Sequence, residues 1–191
     1  MRIVVGISGA SGSIYGYRLL EKLHAQSGVE THLILSRAGE RTAYLETGRT
    51  AADFKTLASF WYPLEDIGAC LASGSFITHG MVIGPCSIQS MSAIATGVTS
   101  NLLLRAADVC LKERRKLILM VRESPFHLGH LRTMVALTEM GAIIAPPIPG
   151  FYTQPQTVLD LVDHSVDRVL DLLGLPAAGA HRWNGGRADS E

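Results

Sequence analysis

The chain contains few charged residues, and the two signs balance. Charged residues make up 18% of the 191 positions, with 17 basic and 17 acidic side chains. A net charge of zero gives no argument for nucleic acid or an anionic membrane surface as a partner. So low a charged share is unusual for a monomer of this size, and we expect much of the surface to be buried between subunits of a homo-oligomer.

The sequence shows no targeting or membrane signal. No apolar run approaches the ~20 residues that span a bilayer, and the first two residues lead directly into an apolar strand pattern rather than a signal peptide. The three cysteines, Cys70, Cys86 and Cys110, are scattered and odd in number, which is typical of a reducing compartment. We therefore expect a cytoplasmic protein with no membrane partner.

Metal-binding motifs are missing as well. The sequence contains neither CxxC nor HExxH, and its seven histidines follow no metal-site spacing. His127 and His130 could share a helix face, but solvated helix residues are the simpler interpretation. The sequence predicts no protein-bound metal.

Apolar, β-branched runs alternate with helical patterns along the chain. Near-continuous apolar strands indicate a parallel sheet covered on both faces, hence a doubly wound α/β fold. The length suits one domain, which we place at residues 1–175, followed by a tail at 176–191 that could dock on a neighbouring subunit. The predicted strands are 2–8, 30–35, 80–84, 116–121 and 142–145. The predicted helices are 13–26, 38–47, 50–59, 87–96, 101–114, 127–140 and 157–173.

Residues 6–16 (GISGASGSIYG) form a glycine-rich segment between the first strand and the first helix. Glycine lets the backbone approach an anion, and the free N–H groups of the helix start point at it. The spacing differs from G-x-G-x-x-G and from the P-loop, and no carboxylate follows the second strand. A mononucleotide such as FMN therefore fits better than NAD or ATP. NADP, with Arg37 on its phosphate, and a purely structural turn are the alternatives.

Ligands of such a sheet bind beyond the C-terminal ends of its strands. There, Ser87 is predicted to cap a helix that presents Gln89 and Ser90 at its positive end, although a plain helix cap is an equal interpretation. Arg122 and Glu123 follow the fourth predicted strand and could grip a phosphate and handle its proton. An ordinary surface ion pair is the alternative.

Other polar side chains have ambiguous contexts. Arg105 and Lys112 are seven residues apart and share a helix face. Tyr152 lies in a proline-rich loop and could donate to a phosphate or pack on the core. Arg168 lies in an apolar helix, where arginine commonly snorkels to solvent. Glu46 ends the second predicted helix and has no clear partner in the sequence.

Taken together and in order, several short motifs resemble the flavin prenyltransferase (UbiX) family. No single one is specific, but they run from residue 2 to about 183. The matching segments are residues 9–12 with 15–16, 45–47, 72–75, 85–87, 105–108, 112–115, 122–123, 149–152, 154–155 and 182–183.

This resemblance implies a three-layer Rossmann-like or flavodoxin-like fold in a homo-oligomer, usually a dodecamer, with FMN bound between subunits. It implies a metal-independent enzyme that joins the dimethylallyl group of dimethylallyl monophosphate to N5 and C6 of reduced FMN. Some relatives accept the pyrophosphate. The prenylated FMN would serve a UbiD-type decarboxylase, classically in ubiquinone biosynthesis.

The resemblance also assigns roles to residues. The catalytic residues would be Ser11, Glu46, Glu123 and Lys112. The FMN-binding residues would be Gly9, Ala10, Ser11, Ser36, Ser87, Ile88, Gln89, Ser90 and Arg122. The substrate phosphate would be held by Arg105, Lys112, Arg122, Tyr152 and Arg168. An FMN-dependent cysteine decarboxylase of the same fold is one alternative, although its PxSANT-type motif is missing, and a non-catalytic flavin carrier is another.

Overall fold

A computed structural model describes residues 1–175 and residue 177, and the fold is α/β with helices on both faces of one sheet. The predicted tail, residues 176–191, and the motif at 182–183 lie almost entirely outside the described residues. The strands are β1 (Arg2–Ile7), β2 (Glu30–Leu35), β3 (Phe60–Tyr62), β4 (Gly80–Cys86), β5 (Lys116–Val121) and β6 (Ile143–Ile144). The helices are α1 (Ser13–His24), α2 (Arg37–Thr47), α3 (Ala51–Lys55), α4 (Ile88–Ala95), α5 (Leu102–Lys112), α6 (Leu128–Glu139) and α7 (Val158–Leu173).

All five strand pairings are parallel, and the strand order is β3-β2-β1-β4-β5-β6. The chain therefore winds outward from β1 in one direction and from β4 in the other. The order reverses between β1 and β4, which leaves a crevice beyond their C-terminal ends. This three-layer architecture confirms the fold class expected from the sequence.

The hydrophobic core lies on both faces of the sheet. In β1, Ile3, Val5 and Ile7 pack with α1 and α7, whereas Val4 belongs to the core that α4 and α5 cover. Successive side chains of a strand point to opposite faces, so both must be apolar when both faces are buried. This packing explains the unbroken apolar runs in the sequence.

The helix ends follow their sequence signals. Thr157 accepts from the backbone N–H of Asp160, and the Asp160 carboxylate accepts from the backbone N–H of Thr157, so the two residues form a capping box. Gly174 ends α7 in the left-handed region, at φ 82°. These local signals were sufficient to place both ends of α7.

The edge of the sheet differs from the prediction. The predicted helix at 50–59 ends at Lys55, and Phe60–Tyr62 forms the short edge strand β3, which was not predicted. Three aromatic residues before Pro63 are too few to show a period of two. Short 3₁₀ turns at Cys70–Ala72 and Phe151–Thr153 were also missed.

Candidate functional site

The ends of β1 and β4 are held together by a buried serine. The hydroxyl of Ser8 donates to the carbonyl of Pro85 at 2.7 Å and accepts from the backbone N–H of Ser87 at 2.8 Å. Ser8 is only 2% exposed, so the bonds compete little with water. They set the start of α4 directly beside the glycine-rich loop.

The start of α4 presents hydroxyl groups. Ser87 is its N-cap, as predicted, and its Oγ accepts from the backbone N–H of Ser90 at 3.2 Å. The Ser87 hydroxyl also donates to Ser90 Oγ at 3.1 Å. A helix start with two hydroxyls is suited to hydrogen-bonding an anion or a polyol.

A cleft of about 440 Å³ opens at this point, between the loops that follow β1, β2 and β4 and the start of α5. Its walls combine hydroxyls and amides with aliphatic side chains. The lining residues are Ser8, Gly9, Ser36, Arg37, Ala38, Leu64, Ser87, Gln89, Ser90, Ala93, Val98, Ser100, Asn101, Leu103 and Leu104.

Five of the predicted FMN-binding residues line this cleft, namely Gly9, Ser36, Ser87, Gln89 and Ser90. The other four, Ala10, Ser11, Ile88 and Arg122, are outside the lining. Sequence reasoning missed the wall formed by the start of α5, where Asn101 accepts from the backbone N–H of Leu104 at 3.0 Å. An asparagine before an apolar helical run is an N-cap signal that could have located it.

The N–H groups of the glycine-rich loop already have an anion as partner. The carboxylate of Glu46 accepts from Gly12 N at 2.9 Å, from Ser13 N at 3.0 Å and from Ser13 Oγ at 2.9 Å. The prediction that the start of α1 points at a ligand phosphate is therefore wrong for this structure. The chain's own Glu46 takes that position, and Gly12 adopts φ 98°, which only glycine adopts readily.

The hydrogen bonds also determine the charge of Glu46. Its partial burial raises the pKa of the carboxyl group, but hydrogen bonds from Ser11, Gly12 and Ser13 more than offset this, and its pKa lies below the ordinary value. The structure thus joins Ser11 and Glu46, two residues that the family resemblance had placed together.

Arg122 lies against the same loop. A side chain at Gly12 would bring its Cβ within 2.9 Å of Arg122 Cδ, so glycine lets the arginine pass over the start of α1. Burial raises the pKa of the neighbouring Tyr15, and the positive charge of Arg122 partly opposes this. Glu123 accepts from the backbone N–H of Ser124 at 2.9 Å, and the ion pair with Arg122, an alternative from the sequence, does not form.

The remaining predicted phosphate ligands are distributed over both faces of the sheet. Arg105 donates to the carbonyl of Ala72 at 3.1 Å and pairs with Asp108 at 2.7 Å, while Lys112 pairs with Glu113 on the same side of α5.

The other two ligands belong to α7 and the loop before it. Tyr152 Oη lies 3.3 Å from His164 Nε2, and Arg168 pairs with Asp171 at 2.8 Å. Because α5 and α7 cover opposite faces, one chain does not bring Lys112 and Arg168 together.

Among residues 1–175 and 177, no three His, Cys, Asp or Glu side chains are arranged to hold a metal ion. Within the same described part of the chain, no helix is long and apolar enough to cross a membrane.

Comparison with known proteins places the chain. The Flavoprotein family model matches residues 1–169. A flavin prenyltransferase UbiX from Thauera aromatica is 53% identical over 185 residues, which cover 97% of this chain and 95% of that protein. A dodecameric FMN-dependent UbiX-like decarboxylase from Escherichia coli O157:H7 superposes with a TM-score of 0.95 at 45% identity, covering 97% of this chain and 100% of that one.

A second solved structure, AnUbiX (PadA1) in complex with FMN and dimethylallyl pyrophosphate, also gives a TM-score of 0.95. It is 42% identical, with 97% of this chain and 98% of that chain covered. The protein thus belongs to the class of flavoproteins. Within it, the chain belongs to the UbiX family of flavin prenyltransferases, which confirms the resemblance found in the sequence.

Proposed function

We propose that the protein transfers the dimethylallyl group of dimethylallyl monophosphate to N5 and C6 of reduced FMN, releasing phosphate. The observation that carries this proposal is the hydroxyl-lined cleft at the reversal of strand order, in a chain of the UbiX family. We further propose that the prenylated FMN serves a UbiD-type decarboxylase and that the protein works in the cytoplasm.

The residues of the cleft fit FMN. Ser36, Ser87 and Ser90 offer hydroxyl donors, and two helix starts, those of α2 and α4, reach the cleft with serine N-caps. Such starts favour a phosphate group. Leu103, Leu104 and Ala93 supply an aliphatic wall suited to an isoalloxazine ring. When bound and reduced, FMN supplies the nucleophilic N5 and C6 atoms.

The substrate phosphate requires cations from more than one subunit. Arg122 lies near the glycine-rich loop, while Lys112 and Arg168 lie on helices covering opposite faces of the sheet. We therefore propose that Arg105, Lys112, Arg122, Tyr152 and Arg168 meet around the phosphate only where subunits of a homo-oligomer adjoin. The dodecameric state of the related E. coli structure supports a dodecamer.

Cleavage of the allylic C–O bond leaves negative charge on the phosphate. Fixed cations and a phenol hydroxyl stabilise that charge without reorganisation, an effect worth ~3–4 kcal/mol per well-placed donor. In our proposal Glu123 holds or delivers the proton of the leaving phosphate. The ionised Glu46, held by Ser11, Gly12 and Ser13, positions the Ser11 hydroxyl beside the reacting edge of the flavin.

An anaerobic mixture of the protein, FMN, dithionite and dimethylallyl monophosphate tests the proposal. We expect the flavin to gain the mass of one five-carbon unit without added metal. Flavin that stays bound but unmodified, with the monophosphate and with the pyrophosphate, would contradict prenyl transfer. That result would favour the cysteine decarboxylase or flavin carrier hypotheses.

A further inference from the structure

His164 contacts one proposed phosphate ligand and lies one helical turn from another. We propose that it is a positioning residue that makes the Tyr152 hydroxyl a hydrogen-bond donor toward the phosphate of the substrate. This inference rests on the proposed function, because it takes Tyr152 as a ligand of that phosphate.

Both ring nitrogens of His164 face a partner. The backbone N–H of Gly150 donates to Nδ1 at 3.2 Å, and Nε2 lies 3.3 Å from Tyr152 Oη. The two rings meet edge to face, with centroids 5.7 Å apart and an angle of 82° between their planes. The imidazole therefore touches both the backbone and the phenol of the 150–152 segment.

These contacts determine the tautomer. A backbone N–H can only donate, so Nδ1 must accept and carries no proton. In a neutral imidazole the proton is then on Nε2, which donates to Tyr152 Oη. The Tyr152 oxygen acts as acceptor in this contact and keeps its own proton as a donor. The opposite tautomer would draw the phenol proton toward the imidazole and turn oxygen lone pairs toward a phosphate.

The small size of Gly150 lets the phenol of Tyr152 and the imidazole of His164 lie close to the backbone of the loop. A Cβ at Gly150 would lie 2.6 Å from Tyr152 Cε1 and 3.3 Å from His164 Cε1, so only glycine fits between the two rings. The Thr153 hydroxyl also donates to the Gly150 carbonyl at 3.1 Å. The loop at residues 150–153, the phenol of Tyr152 and the imidazole of His164 are thus joined by direct contacts.

His164 also lies close in sequence to Arg168, the second proposed ligand of the substrate phosphate on this side of the sheet. It precedes Arg168 by four residues on α7, and side chains at this spacing lie on the same helix face. His164 and Arg168 therefore lie on one face of α7, and the Tyr152 hydroxyl contacts that face through His164.

Two substitutions separate the functions of the two nitrogens. His164→Asn can keep an acceptor near Nδ1 for Gly150 but removes the donor to Tyr152. His164→Gln can keep a donor near Nε2 but removes the acceptor. The readout is the Kd of dimethylallyl monophosphate for the full-length, FMN-loaded protein, measured by titration calorimetry with oxidised flavin.

We expect His164→Asn to weaken this binding roughly tenfold, close to the effect of Tyr152→Phe, since a hydrogen bond to a charged group is lost. His164→Gln should recover most of the affinity. Adding His164→Asn to Tyr152→Phe should cause little further loss, because both changes remove the same hydrogen bond. His24→Asn, on an exposed histidine at the end of α1, is the control and should bind as the original chain does.

Several results would overturn the inference. Normal affinity in His164→Asn, or a larger loss in His164→Gln, would assign His164 to backbone support instead. Full additivity with Tyr152→Phe would show that His164 does not act through the phenol. A chain that binds the monophosphate but does not alkylate FMN would contradict the proposed function alone, because the affinities of the variants would still test His164. No binding by the original chain would overturn both.

Discussion

Glu46 illustrates how one carboxylate can replace a ligand at a helix start. It accepts from two backbone N–H groups and two hydroxyls around Gly12 and Ser13. The first N–H groups of a helix have no partner within the helix, so they require an acceptor from elsewhere. Here the acceptor belongs to the chain, so in our proposal the phosphate of FMN binds at the starts of α2 and α4 instead.

Glu46→Gln should lower stability, because an amide offers one acceptor oxygen and turns an N–H group toward other donors. We expect the apparent midpoint of thermal unfolding at pH 7 to fall by roughly 2–4 °C, or about 1 kcal/mol after allowing for the solvent exposure of the site. Glu139→Gln, an exposed carboxylate on α6, is the control and should have little effect.

The pH dependence of this difference follows from the lowered pKa of Glu46. A carboxylate with a folded-state pKa below the unfolded value of 4.5 stabilises the fold above that pH, and the contribution is lost as the pH falls through the folded-state pKa. The difference in midpoint between the original chain and Glu46→Gln should therefore narrow below about pH 4.5. A difference that stays constant would contradict the assigned charge.

Glu123 provides a test of chemistry rather than stability. Its only hydrogen bond among the described residues is from the adjacent Ser124 backbone, and the side chain is exposed. Glu123→Gln should slow prenyl transfer by about 10²–10⁴-fold, the range for loss of a general acid or base. FMN affinity should not change. Single-turnover mass spectrometry and flavin titration measure the two effects, and a loss of FMN affinity with normal transfer would refute the role.

Between elements, the contact that most directly shapes the cleft is the Ser8 bridge from β1 to α4. Ser8→Ala would leave the buried Pro85 carbonyl and Ser87 N–H without their hydroxyl partner. We expect a loss of ~1–3 kcal/mol and weaker FMN binding, because the start of α4 is no longer held beside the loop. Ser92→Ala, on α4 but outside the cleft lining, should preserve FMN affinity. Equal FMN affinity in both variants would show that the bridge does not position the site.

An element could be predicted from the sequence when the residues that determine it lie within or next to it in the chain. The central strands are apolar because both faces are buried, and α7 carries its own caps, so short stretches of sequence were enough. The edge strand β3 exists because β2 offers it a pairing partner 25 or more residues earlier in the chain. No local pattern in Phe60–Tyr62 records that pairing.

The same distinction holds for the site. Ser87 and Ser90 were found because a helix start can be recognised in the sequence. The partner of Glu46 could not be found that way, since α2 meets the glycine-rich loop only in the folded chain. Lys112 and Arg168 came from the family resemblance, and even the folded chain leaves them on opposite faces. In our proposal they come together only where two subunits adjoin.

An exposed apolar stripe on α6 is a candidate for the contact between subunits. Leu128, Leu131 and Val135 form a stripe along the helix and are 60%, 47% and 58% exposed. Apolar side chains at this spacing normally face a core, and a contiguous exposed stripe marks a surface that another protein covers. We expect a second copy of the chain to cover it.

Leu131→Glu should therefore disrupt the assembly, because it would bury a carboxylate in an apolar interface, at a cost of several kcal/mol. Size-exclusion chromatography with light scattering should show a smaller species than for the original chain. Ala52→Glu adds the same charge at an exposed position of α3 and should leave the mass unchanged. If the site needs neighbouring subunits, the dissociated variant should also bind dimethylallyl monophosphate weakly while its fold, followed by circular dichroism, is retained. An unchanged mass in Leu131→Glu would place the subunit contact elsewhere.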